Sequence, residues 1–214
     1  MVIVVGGMIG LGKTSVSEII AKEFNSKVFY ESVEDNPILP LFYNSTDEEI
    51  KLNRYPFLLQ LFFLDKRFKS IKQALTSKNN VLDRSIYEDW YFCKRNMDLG
   101  RISELEMSVY ESLLNNMMEE LDELPKKSPD IFIYLRGSFD TIINRIKMRG
   151  RSYEIDNKLV DYYRYIWEGY DDWMYNVYSK SSVLTIDMDS MDVVNNFEDR
   201  NNLIKIVKEK LCLA

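Results

Sequence analysis

The chain has 214 residues, 46% hydrophobic and 29% charged, with a net charge of −6, enough for one full core and a single domain over 1–214. The acidic balance excludes the broad positive field of a nucleic-acid or anionic-membrane binder, so any anion site must be basic only locally. There is no histidine, which excludes imidazole bases, Ser-His nucleophiles and His-ligated zinc and leaves carboxylates as the main general-base candidates.

The first element is a β-branched strand over 2–5, followed by Gly7-Met8-Ile9-Gly10-Leu11-Gly12-Lys13-Thr14 and then a helix over 15–24 with Val16, Ile19, Ile20 and Phe24 at helical spacing. The octapeptide matches the phosphate-binding loop G-x-x-x-x-G-K-[ST] at every fixed position, in the strand–loop–helix order that the loop requires. Its glycines turn backbone N–H groups onto an anion, Lys13 reaches the β/γ-phosphates, and the Thr14 hydroxyl is suited to Mg²⁺. A nucleoside triphosphate with Mg²⁺ is the expected ligand.

A second strand over 27–31 delivers Glu31 to its C-terminal end, where open α/β sheets place their ligands, which makes Glu31 the first candidate base. After a loop over 32–40, Thr46 and Glu49 form a capping box that opens a long helix to about residue 76. Gln60 and Arg67 lie two turns apart on one face of it, and in isolation read as a solvated pair. A third strand over 79–85 presents Asp83 and Arg84 at the phosphate edge, with Asp83 placed to hold Mg²⁺ through water. Ser85 and Glu88 form a capping box for the next helix, and Asp89 lies one turn into it. Another long helix, 102–124, starts at a Ser103/Glu106 box; its methionine-rich face suits core or a dimer interface.

A fourth strand over 131–135 and a helix over 138–148 lead to Arg145, Arg149 and Arg151 around Gly150. Three guanidiniums within seven residues suit a lid over a triphosphate, at about 145–154. A helix over 157–178, a fifth strand over 183–187 and a helix over 199–211 complete an α/β chain with a five-stranded parallel sheet flanked by helices. Cys93 and Cys212 have no metal-ligand spacing and read as reduced thiols; no run reaches transmembrane length and the opening lacks a signal-peptide pattern, so a cytoplasmic protein is expected.

The phosphate loop, Glu31-Ser32-Val33, Asp83-Arg84-Ser85 and the run from Arg145 to Arg151, in this order and at these separations over about residues 2–190, resemble the deoxynucleoside kinase family, closest to its bacterial deoxyadenosine/deoxyguanosine kinases. The resemblance implies a P-loop kinase fold and transfer of the ATP γ-phosphate to the 5′-hydroxyl of a deoxynucleoside, deoxyadenosine first. It implies Glu31 as base with Arg84 holding it, Asp83 and Thr14 at the Mg²⁺, and Arg145, Arg149 and Arg151 on the transferring phosphate. Gln60 falls at the base-reading position with Arg67 and Asp89 in support, and Tyr43 with Glu154 at the sugar 3′-hydroxyl. A homodimer through the two long helices is also implied. The sequence departs from many animal members at Ser32, where they carry proline, and at Asn36, near their tryptophan; Cys93 stands where some members stack an aromatic on the base. Two alternatives are a thymidylate-type monophosphate kinase, which needs cations for the acceptor phosphate where this chain has Glu31, and a non-catalytic scaffold, which predicts an eroded loop, base or lid.

Overall fold

Five strands, β1 (Val2–Gly7), β2 (Lys27–Phe29), β3 (Asn80–Asp83), β4 (Ile131–Arg136) and β5 (Ser182–Asp187), pair in parallel in the order β2-β3-β1-β4-β5 in a computed structural model that describes residues 1–31, 33, 35–76, 79–120 and 129–212. All positions of β1 and the first five of β4 are buried, as expected for strands covered by helices on both faces. Val5 pairs with Asp83 and Gly7 with Leu135, so the ends of β1, β3 and β4 lie side by side. The chain leaves β1 first towards β2 and later crosses to β4, and the reversal opens a crevice at the C-terminal edge of β1.

The helices are α1 (Lys13–Glu23), α2 (Leu39–Asn44), α3 (Asp47–Asn53), α4 (Tyr55–Leu75), α5 (Ile86–Asp98), α6 (Glu104–Glu120), α7 (Phe139–Arg149), α8 (Val160–Glu168), α9 (Tyr170–Asp172) and α10 (Phe197–Lys210). Val16 and Ile20 of α1, Ile142 and Ile146 of α7, and Leu203 and Val207 of α10 are all fully buried or nearly so, each such side chain contributing about 1.5–3 kcal/mol through area removed from water. An aromatic cluster of Tyr91, Tyr134, Tyr170 and Trp173 fills the space behind α5, with ring centroids as close as 4.9 Å.

Several expected boundaries differ for identifiable reasons. The predicted continuous helix to residue 76 is two helices: the Thr46/Glu49 box opens only α3, Arg54 turns left-handed at φ 55, and α4 restarts with Pro56 in its first turn. Proline tolerates that position because its missing N–H has no helical partner there. The predicted loop over 32–40 is shorter, since Asn36 Oδ1 accepts the Ile38 and Leu39 N–H groups at 2.9 and 3.1 Å at the start of α2. The predicted helix over 157–178 is a 3₁₀ turn, α8, a break at Gly169, then α9 running into a π turn over Trp173–Val177. Gly169 lies so close to α5 that a Cβ would stand 2.9 Å from the Tyr91 hydroxyl. Strand β2 ends at Phe29, so Glu31 follows the strand rather than ending it. The predicted end of the long helix at 124 lies outside the described residues.

Candidate active site

The phosphate loop joins β1 to α1 across the crevice. Gly7 (φ 139) and Gly12 (φ 82) adopt conformations that disfavour a side chain, and a Cβ on Gly7 would stand 2.4 Å from the Leu135 carbonyl. Gly12 precedes α1 without a side-chain cap, which leaves the first helical N–H groups, at the positive end of the dipole, facing the cleft. Lys13 is buried, and its ammonium donates to the Gly7 and Met8 carbonyls at 3.0 and 3.1 Å. Burial and the neighbouring Arg84 charge bring it down to about 8, against the support of Glu31, Glu88 and Asp83. The Met8 and Leu11 side chains are in the core, so only their backbone is available to a ligand, whereas Ile9, Gly10, Gly12, Lys13 and Thr14 line the cleft.

The ends of β2 and β3 carry a chain of charges. Glu31 Oε1 lies 2.6 Å from Arg84 Nε and 3.1 Å from Arg67 Nη2. Burial opposes ionisation of Glu31, but Arg84, Arg67 and Lys13 outweigh it and hold the carboxyl at about 2. Arg67 is nearly fully buried, donating from Nε to Asp89 Oδ2 at 3.0 Å and from Nη1 to the Asp83 carbonyl at 2.7 Å. It is therefore a brace inside the protein, and the solvated reading that its spacing with Gln60 suggests in isolation is wrong. Arg84 follows β3 at φ 81, a strained conformation for a residue with a side chain, and its guanidinium stacks 4.8 Å from the Phe92 ring centroid.

Asp83 Oδ2 accepts the Thr14 hydroxyl at 2.6 Å, while its Oδ1 is buried without a hydrogen-bond partner. Burial and the nearby Glu31 charge push this carboxyl up, although Lys13 and Thr14 act the other way. A hydroxyl and an orphaned carboxylate oxygen beside a phosphate loop fit Mg²⁺, which takes few protein ligands and fills its shell with water and phosphate oxygens. Among the described residues no group of three or more carboxylates or thiols gathers as a cage for a metal.

Glu31, Tyr43, Gln60, Asp83, Arg84, Asp89, Arg145, Arg149, Arg151 and Glu154 all line one cleft of about 690 Å³ together with the loop. Gln60 is 3% exposed, and its Oε1 has no hydrogen-bond partner. Tyr43 stacks on Tyr153 at 5.8 Å and lies against Tyr163, whose hydroxyl donates to the Glu154 carbonyl at 3.1 Å. Cys93 is fully buried and Asn36 is turned to the Ile38 and Leu39 N–H groups, and neither lines the cleft; the wall contains Val33, Leu39, Phe42, Leu59, Phe63, Phe92 and Tyr162. Ser32 is outside the described residues.

The three arginines expected to form a lid differ in their partners. Arg145 donates to the Leu11 and Met188 carbonyls at 3.3 and 2.9 Å. Arg149 pairs closely with Glu154, and Arg151 lies 3.4 Å from the same carboxylate, which is nearly fully buried. Sequence reasoning missed Phe92, under Arg84, and the second role of Glu88, whose carboxylate accepts the Gly7 N–H at 2.8 Å. Only the capping position of Glu88 was visible in sequence; nothing in its spacing pointed to the loop.

The deoxynucleoside kinase family model matches residues 3–213. A deoxyguanosine kinase of Lactobacillus johnsonii is 47% identical over 98% of this chain and 92% of its own length. A deoxyadenosine kinase of Lactobacillus acidophilus is 42% identical over 98% and 96%. In structure, the deoxyadenosine kinase of M. mycoides with bound dATP superposes with a TM-score of 0.77 at 32% identity, covering 99% of this chain and 100% of that one. With the phosphate loop, Asp83, Arg84 and the three guanidiniums of Arg145, Arg149 and Arg151 gathered on one cleft, the chain belongs to the deoxynucleoside kinase family and is an ATP-dependent phosphotransferase.

Proposed function

We propose that this kinase phosphorylates the 5′-hydroxyl of purine deoxynucleosides, deoxyadenosine first, with Mg²⁺ and ATP. The observation that carries the base preference is the buried Gln60 Oε1 without a partner in the cleft. An amide pairs with the N6/N7 edge of adenine, where the 6-amino group donates to that oxygen. On that edge guanine presents two acceptors, O6 and N7, so in either orientation of the amide its oxygen meets an acceptor and a buried polar group is left unpaired, an effect of about 1–3 kcal/mol. A second reading, deoxyguanosine, is favoured by relatives of that name at 47% identity.

Glu31 is the group that orients the 5′-hydroxyl and takes its proton as the new O–P bond forms and the bond from the γ-phosphorus to the β,γ-bridging oxygen breaks. Held at about 2, it is a weak base that is ionised at neutral pH. That suffices for a loose transition state, in which the nucleophile needs positioning more than early deprotonation. Arg84 fixes Glu31 and its oxygens; Lys13, Arg145, Arg149 and Arg151 provide positive charge where the transferring group becomes negative. Thr14 and Asp83 are the residues that would hold Mg²⁺, which when bound neutralises phosphate charge. Tyr43 and Glu154 hold the sugar 3′-hydroxyl, and Arg67 and Asp89 brace the base-reading side.

A homodimer is supported by α6, where Leu105, Val109 and Leu113, spaced four apart, are 75%, 45% and 38% exposed. We assign this stripe and the adjoining α4 to a homodimer contact. The working compartment is the cytoplasm, in keeping with two free thiols; no helix among the described residues is long and apolar enough to cross a membrane. Steady-state phosphorylation of the four deoxynucleosides by ATP and Mg²⁺ tests the reading. A higher kcat/KM for deoxyadenosine supports Gln60 as reader, and a higher value for deoxyguanosine replaces it with the second reading.

A further inference from the structure

Glu88 has no exposed surface, and helix capping accounts for only one of its two oxygens. Oε2 accepts the Ser85 N–H at 2.8 Å, the bond that a capping box requires. Oε1 accepts the Gly7 N–H at 2.8 Å and the Tyr170 hydroxyl, and stands 3.7 Å from Arg84 Nη1. One carboxylate thereby touches the start of the phosphate loop, the turn after β3 and helix α9. Space for it is made by Gly6, where a Cβ would stand 2.5 Å from Glu88 Oε2 and 2.2 Å from the Phe132 ring.

The same carboxylate lies beside the strained Arg84 backbone, at φ 81. A strained residue costs about 1–3 kcal/mol and persists only where its surroundings over-determine it. The bond to Ser85 N–H fixes the turn immediately after Arg84, and the carboxylate charge faces its guanidinium. We propose that Glu88 is a positioning residue for phosphoryl transfer, locking the start of the phosphate loop to the Arg84-Ser85 turn so that donor phosphates and acceptor hydroxyl stand in register. The inference rests on the placement of donor and acceptor given above. Glu88 does not line the cleft and so acts through Gly7, Arg84 and Ser85.

Glu88→Gln keeps the shape but replaces one acceptor by an amide N–H₂, which must face the donors on one side. Kinetics are measured on the full-length protein with ATP, Mg²⁺ and the deoxynucleoside that the wild type turns over fastest. The expected result is a kcat lower by about 10- to 100-fold per folded molecule, the scale of a small misplacement of reacting groups, with both KM values within about threefold.

Tyr170→Phe, which removes only the hydroxyl on Oε1, lowers kcat several-fold with both KM values within about threefold. A purely structural role would lower the melting temperature while leaving kcat per folded molecule unchanged, and that result overturns the proposal. If Glu88→Gln does not fold, Tyr170→Phe decides, and a wild-type kcat there overturns it. An error in the donor and acceptor placement shows up separately, as wild-type turnover in Glu31→Gln.

Discussion

Replacing Glu31 by glutamine probes the centre of the acceptor end. The carboxylate lies between Arg84 at 2.6 Å and Arg67 at 3.1 Å, with Lys13 nearby. Its carboxyl stands at about 2 instead of 4.5, which corresponds to about 3 kcal/mol of favourable interaction with those cations. Because the folded value is depressed, that stability is fully present above the unfolded value and is lost as pH falls from about 4.5 through about 2. The variant therefore unfolds at lower urea than the wild type at pH 7, by about 3 kcal/mol, and the gap narrows as the pH approaches 2. Its kcat falls by about 10²- to 10⁴-fold, since the amide takes no proton, while KM for ATP stays within about threefold. ADP release measured against ATP concentration at saturating deoxynucleoside reads both constants. A kcat within tenfold of wild type would refute the assignment of Glu31, and a stability gap that persists at pH 2 would refute its electrostatic account.

Gln60→Ala lowers kcat/KM for deoxyadenosine by about 10- to 100-fold and that for a pyrimidine by less; equal losses, measured in the same assay, would mean that Gln60 does not read the base. Lys13, brought down to about 8, loses its charge as pH rises through that value, so kcat/KM for ATP falls on the alkaline side near pH 8, and a profile flat to pH 10 would contradict this. Leu113→Glu places a charge in the exposed stripe of α6, and a sizing column should return a monomer where the wild type runs as a dimer; an unchanged elution volume would remove the stripe from the interface.

The sheet was legible because its strands are short β-branched runs ending in polar residues, and the phosphate loop because each of its fixed positions has a backbone or charge requirement of its own. Capping boxes at Thr46, Ser85 and Ser103 were also readable, and all three form. Arg54 was not: arginine is a good helix former, and its left-handed turn is set by where α3 and α4 must pack and by its ion pair with Glu106. Pro56 was the available signal, since proline inside the predicted helix belongs more naturally to a first turn. At the site, the residue types were visible but their partners were not. Arg67 looked solvated because its helix neighbours say nothing of Glu31 or Asp89, which arrive from distant segments. The second oxygen of Glu88 was hidden for the same reason.

The aromatic cluster behind α5 also gives the protein an optical reporter. Of its three tryptophans, Trp173 is 4% exposed and packs 5.7 Å from Tyr170, whose hydroxyl bonds Glu88. The indoles of Trp90 and Trp167 are tied to Glu111 and to the Gly137 carbonyl at 2.9 Å. With Trp173 buried and the other two indoles half-buried, native emission lies to the blue of the unfolded chain, and movement of the π turn is read as a change in intensity without any attached dye.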